Sequence, residues 1–117
     1  MKISGQGKLL RIFIGDSDRY QGKPLYVALV ERAREQGLAG ATVLRGIMGF
    51  GAGSRIHTTS LLRLSQDLPL VVEIVDTEEK IDHYLHGLDE MLHNGLVTME
   101  KADVRFYRSG RDHSESA

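Results

Sequence analysis

A chain of 117 residues with 15 basic and 16 acidic side chains, a net charge of −1 and no cysteine has the length of one domain with a modest core. The near balance of charge argues against a nucleic-acid binder working through a broad basic field, and the missing thiols exclude disulfides, thiolate metal sites and cysteine nucleophiles. The opening "MKISGQGK" has no apolar h-region and no apolar run reaches the roughly 18 residues of a bilayer span, so the expectation is a cytoplasmic, soluble protein.

Residues 1–7 are expected to be a flexible N-terminus. Leu9 to Ile14, "LLRIFI", reads as a first strand, closed by the turn-rich "GDSDRYQGK". Pro24 sits in the first turn of a helix, where its missing N–H has no partner to lose. Tyr26, Leu29, Val30 and Ala33 follow at helical spacing, with Glu31, Arg32, Arg34 and Glu35 on the other side and Gly37 as the stop. Ala41 to Ile47, "ATVLRGI", is a β-branched second strand. Gly49 to Ser60, "GFGAGSRIHTTS", then interrupts the pattern. The third strand comes in two pieces, "SLLRLS" and "LPLVVEIVD", with Pro69 marking an edge or a bulge. Asp76 and Glu79 resemble a capping box, and Ile81, Tyr84, Leu85, Leu88, Met91 and Leu92 form the stripe of a second helix ended by Gly95. "LVTMEKADVRFY" is the last strand, and residues 108–117, "RSGRDHSESA", are polar and aperiodic, as expected of a disordered tail.

Over residues 8–107 the order is β-α-β-β-α-β. It predicts an α+β, ferredoxin-like sandwich, a four-stranded antiparallel sheet with two helices on one face. Leu70, Val72 and Ile74 alternate with Val71 and Val75, so both sheet faces are apolar while helices cover one. A second copy of the chain is the expected cover, hence a homo-oligomer.

The segment after the second strand raises the functional question. Closely spaced glycines can turn backbone N–H groups into an anion nest, to which Arg55 and His57 would add donors, while Arg45 and Arg63 lie on the flanking strands. Solvated cations, or ion pairs with Glu73, Glu100 or Asp103, account for the same residues, and both readings stand at this level. His83, His86 and His93 lie near Asp82, Asp89 and Glu90, with His86–Glu90 and Asp89–His93 one helical turn apart. That is metal-ligand spacing, but on a face opposite the apolar stripe a solvated surface with local charge pairs explains it. Asp16, Ser17 and Asp18 lack the ligand alternation of a calcium loop and read as turn formers. No catalytic residue, metal or cofactor is expected.

The segments "LLRIFIGDSDRYQGKPLY", "GLAGATVLRGIMGFGAGSRIHT" and "LPLVVEIVDTEEKI" resemble the bacterial and archaeal family called domain of unknown function 190. That family is similar in fold to the PII signal-transduction proteins, trimers of ferredoxin-like subunits with a T-loop between the second and third strands. Gly49-Phe50-Gly51 resembles the Gly-Phe-Gly at the base of that loop. The resemblance implies a PII-like regulator, trimeric and without catalysis, that binds a small anionic ligand such as an adenine nucleotide between subunits. Arg45, Gly49, Phe50, Gly51, Arg55, His57 and Arg63 are the ligand-binding candidates, and a membrane transporter or channel is the implied partner. Ala52 and Gly53 stand where PII has an Arg-Gln pair, and "HNGLVTMEK" has one glycine where PII has a glycine-rich phosphate loop. The first departure removes the basis for the metal and 2-oxoglutarate chemistry, and the second means that the classical ATP binding of PII is not carried over. A small metal-binding or enzymatic trimer of the same fold is the alternative.

Overall fold

The computed structural model describes residues 5–50 and 67–108. Strand β1 (Gly5–Gly15) is followed by a two-residue ribbon, β2 (Arg19–Tyr20) and β3 (Lys23–Pro24), then helix α1 (Leu25–Glu35) and strand β4 (Thr42–Arg45). The second half holds β5 (Pro69–Asp76), α2 (Glu78–Leu85), the short α3 (Leu88–Met91) and β6 (Leu96–Val104). The main sheet has four strands in the order β4-β5-β1-β6, each neighbour antiparallel. Apart from the ribbon, this is the expected α+β, ferredoxin-like arrangement. The expected strand piece "SLLRLS" lies outside the described residues.

Alternation along the strands builds the core. Leu10, Ile12 and Ile14 of β1 sit opposite Ile74, Val72 and Leu70 of β5, and all six are buried. Leu25, Ala28, Leu29 and Ala33 of α1 close over them, with Ile81 and Tyr84 of α2 and Leu88 and Met91 of α3. At roughly 1.5–3 kcal/mol per fully buried large aliphatic side chain, this single layer is the main stabilising term. The Tyr84 hydroxyl donates to Leu29 O at 2.8 Å, and the Arg32 guanidinium lies 4.8 Å from the Tyr84 ring centre while donating to His86 O. These contacts tie α1 to α2 and to the turn that ends it.

Four local features differ from the sequence-based expectation. β1 starts at Gly5, because β6 is long enough for Val104 and Ala102 to pair with Gly5 and Gly7. Helix α2 is capped by Thr77, whose side chain accepts from Lys80 N, and not by Asp76. Asp76 is fully buried and accepts instead from Ala39 N at 2.8 Å and Thr77 N at 2.6 Å, joining the end of β5 to the loop after α1. The second helix is broken at Gly87, whose φ of +83° is left-handed, so the stripe continues across a turn as a separate helix. The end of α1 follows expectation. Leu38 N bonds Ala33 O and Gly37 N bonds Arg34 O, the paired C-terminal bonds of a Schellman motif.

Among the described residues, no helix covers the other sheet face. Register places Leu44, Val71, Phe13 and Leu96 in one row across β4, β5, β1 and β6, and Val75 opposite Leu9 in another. Leu44 and Leu96 are 48% and 57% exposed, high for large apolar residues paired side by side. Between the rows, Arg11 bonds Glu73 at 2.9 Å and Glu100 at 2.5 Å. The bond to Glu73 raises the Arg11 pKa further above its ordinary value, against the opposing pull of burial.

Candidate functional site

The C-terminal ends of β1 and β4 and the start of β5 meet at one end of the sheet. Arg45 is paired with Leu70, Gly15 with Pro69, and Gly46 N donates to Pro69 O at 2.7 Å. Pro69 is the first residue of its strand, where it still offers a carbonyl. The chain leaving β4 is pressed against the proline ring. A Cβ on Gly46 would lie 2.7 Å from Pro69 Cγ, and one on Gly49 3.1 Å from it. Close approach, as much as flexibility, explains these glycines.

Arg45 projects from this packed corner with its side chain 55% exposed. Its Nη2 lies 3.2 Å from Asp16 Oδ2 and 3.3 Å from Oδ1. The turn that carries Asp16 is tied down residue by residue. Asp16 N donates to Leu68 O at 2.9 Å, Ser17 N and Oγ donate to Asp67 Oδ1 at 3.1 and 2.9 Å, and Asp18 Oδ2 accepts from Gly15 N at 2.9 Å. Only Asp18 bonds within the local turn, as the sequence suggests for all three; Asp16 and Ser17 reach across to other segments.

Of the candidate ligand set, Arg45, Gly49 and Phe50 are described. Phe50 is 72% exposed, beside the exposed Ile47 and Met48. Gly51, Arg55, His57 and Arg63 lie outside the described residues. Arg45 does have a carboxylate partner, but it is Asp16. Glu73 and Glu100 belong to Arg11, and Asp103 pairs with Arg105 at 3.3 Å. Asp16 was missed as a site residue because it lies 29 positions before Arg45, beyond any local spacing rule.

The helical side carries a groove of about 390 Å³, lined in part by Tyr20, Lys23, Glu31, Arg32, Glu90 and Met91. Its cations are committed, Lys23 to Glu31 at 3.1 Å and Arg32 to His86 O and the Tyr84 ring. Arg45 is paired as well, but Glu31, Glu35 and Glu90 line the groove and repel an anion, which leaves the sheet end with Arg45 as the better anion site. The break at Gly87 takes His86 and Glu90 off a common helix, so the one-turn spacing read from the sequence does not hold for them; the rings of His83 and His86 are 6.5 Å apart. Among the described residues no three His, Asp or Glu side chains gather as a metal set, and no helix is long and apolar enough to cross a membrane.

The fold and the sequence can be set beside known proteins. The chain is similar to CPII of Thiomonas intermedia K12, solved with ADP and bicarbonate, at a TM-score of 0.62 and 18% identity, covering 88% of this chain and 90% of the other. It is also similar to TTHA0516 of Thermus thermophilus, described as PII-like, at a TM-score of 0.60 and 22% identity, covering 88% and 94%. The fold is PII-like. In sequence it is 48% identical to a UPF0166 protein of Aquifex aeolicus over 97 residues, 83% of this chain and 91% of the relative. It is 33% identical to the UPF0166 protein MJ1524 of Methanocaldococcus jannaschii over 100 residues, 85% and 92% of the two chains. The model of the DUF190 family (Uncharacterized ACR, COG1993) matches residues 7–104. The chain belongs to the DUF190 family.

Proposed function

We propose that this chain is a PII-like regulator without catalysis of its own, assembled as a homo-oligomer, a trimer, that binds a small phosphate-bearing anion beside Arg45. The observation that carries the reading is the Arg45 guanidinium, exposed at the end of the sheet with only Nη2 engaged among the described residues. A planar fork of donors fixed on a strand suits the oxygens of a phosphate better than a flexible ammonium does. The seating of Gly46 and Gly49 on Pro69 supports it, because it fixes the backbone next to that fork. An adenine nucleotide is the first choice of ligand, supported by the similarity to CPII, which was solved with ADP. The bare apolar rows of the sheet support assembly, since each copy has a surface that another would cover. In this reading the regulated partner is a membrane transporter or channel, as the resemblance to PII proteins implies.

A thermal-shift series with ADP, AMP, ATP, phosphate and bicarbonate tests the proposal, because a ligand that binds only the folded state raises its apparent stability. ADP should raise the melting temperature of the native protein. Arg45→Ala should weaken ADP binding by about ten- to a hundredfold, the loss of one charge-assisted hydrogen bond. No shift with any of the five, or an unchanged affinity in Arg45→Ala, would overturn the reading.

A further inference from the structure

We infer that Asp16 is a built-in competitor for the anion site, a carboxylate of the chain that holds Arg45 Nη2 and must leave that nitrogen when a ligand takes two nitrogens of the guanidinium fork. The inference rests on the reading of Arg45 as an anion site. Both Asp16 oxygens lie within 3.3 Å of Arg45 Nη2, so the resident group already makes the kind of contact that an incoming anion would make. Asp16 is well placed to do so. Its own N–H is bonded to Leu68 O, and its neighbours Ser17 and Asp18 are held by Asp67 and Gly15 N. None of these anchors uses the Asp16 side chain, so the carboxylate can swing away while its turn stays in place. A group tethered this closely competes at an effective concentration in the millimolar range or above.

The size of the effect follows from exposure. The Arg45 and Asp16 side chains are 55% and 25% exposed, and pairs of this kind are worth little in water. Displacing Asp16 therefore costs ligand about two- to fivefold in affinity. That is too little to block binding, yet enough to tune it. The competitor also joins the ligand site to the turn between β1 and the β2–β3 ribbon, and through the bond of Leu25 N to Asp18 O to the start of α1. Ligand on Arg45 and Asp16 on Arg45 are alternative states, so binding leaves the turn without one of its contacts.

The test is calorimetric titration with ADP at one low, fixed ionic strength, on the native protein, Asp16→Asn, Arg45→Ala and the double variant. Asp16→Asn keeps the side-chain shape and all the backbone anchors. It should bind ADP about two- to fivefold tighter than the native protein, and this gain should vanish when Arg45 is alanine. Equal or weaker binding by Asp16→Asn, with Arg45→Ala still defective, overturns the competitor while leaving the site intact. A gain that persists without Arg45 also overturns it, since that would be a general relief of negative charge. Absent ADP binding, or binding that ignores Arg45→Ala, defeats the anion-site reading itself.

Discussion

The hydroxyl of Tyr84 is buried in the core and held by Leu29 O, and burial pushes its pKa up to about 12 while the nearby Arg32 cation pulls it down. The ordinary value is near 10, so as pH rises the unfolded chain loses this proton before the folded one. Stability from this group is intact below pH ~10 and is lost between there and pH ~12. At pH 11 the native protein should have lost roughly 1.4 kcal/mol relative to Tyr84→Phe, each measured against its own value at pH 9 by urea unfolding. Parallel curves for the two proteins would remove Tyr84 from the alkaline transition. Gly46 poses a packing question at the same scale. Its missing Cβ would sit 2.7 Å from the Pro69 ring, so Gly46→Ala should destabilise the protein by about 1–3 kcal/mol through overpacking. An unchanged melting temperature would mean that the corner is looser than its distances imply.

At the level of elements, two neighbouring residues with cap-competent side chains have been given different tasks. Thr77 caps α2, so Thr77→Ala should cost about 1 kcal/mol. Asp76→Ala should cost more, about 2–4 kcal/mol, because it strips a fully buried acceptor from Ala39 N and Thr77 N. Denaturant unfolding decides between them, and an equal or reversed order would return the cap to Asp76. The sequence alone points to Asp76, since Glu79 three residues on gives it the spacing of a capping box, but the distant Ala39 N–H competes for that carboxylate. The strands of the core and both principal helices are legible in period-2 and period-3.6 patterns. The break at Gly87 is not, because Leu88 and Met91 keep the helical spacing across it and both are buried. The β2–β3 ribbon is too short to carry a pattern. At the candidate site, Arg45 and the glycines stand out as residue types, but the ion pair with Asp16 and the contact with Pro69 arise only when β1, β4 and β5 are brought side by side.

For the whole molecule, the decisive feature is the sheet face that no helix among the described residues covers. The sequence makes that face visible through Val71 and Val75, and the register enlarges it to Leu44, Phe13, Leu96 and Leu9 across all four strands. Arg11, set between Glu73 and Glu100, lets the middle of the face be covered without stranding a cation. Val71→Asp should put an unpaired carboxylate among these rows and leave the protein aggregated or unfolded. A regulator that binds ligand between copies of itself requires this face to be an interface. Sedimentation velocity of the native protein at micromolar concentration tests that requirement most directly. A single species of three chains, with no free monomer, is the predicted result, and a stable, well-folded monomer would contradict it.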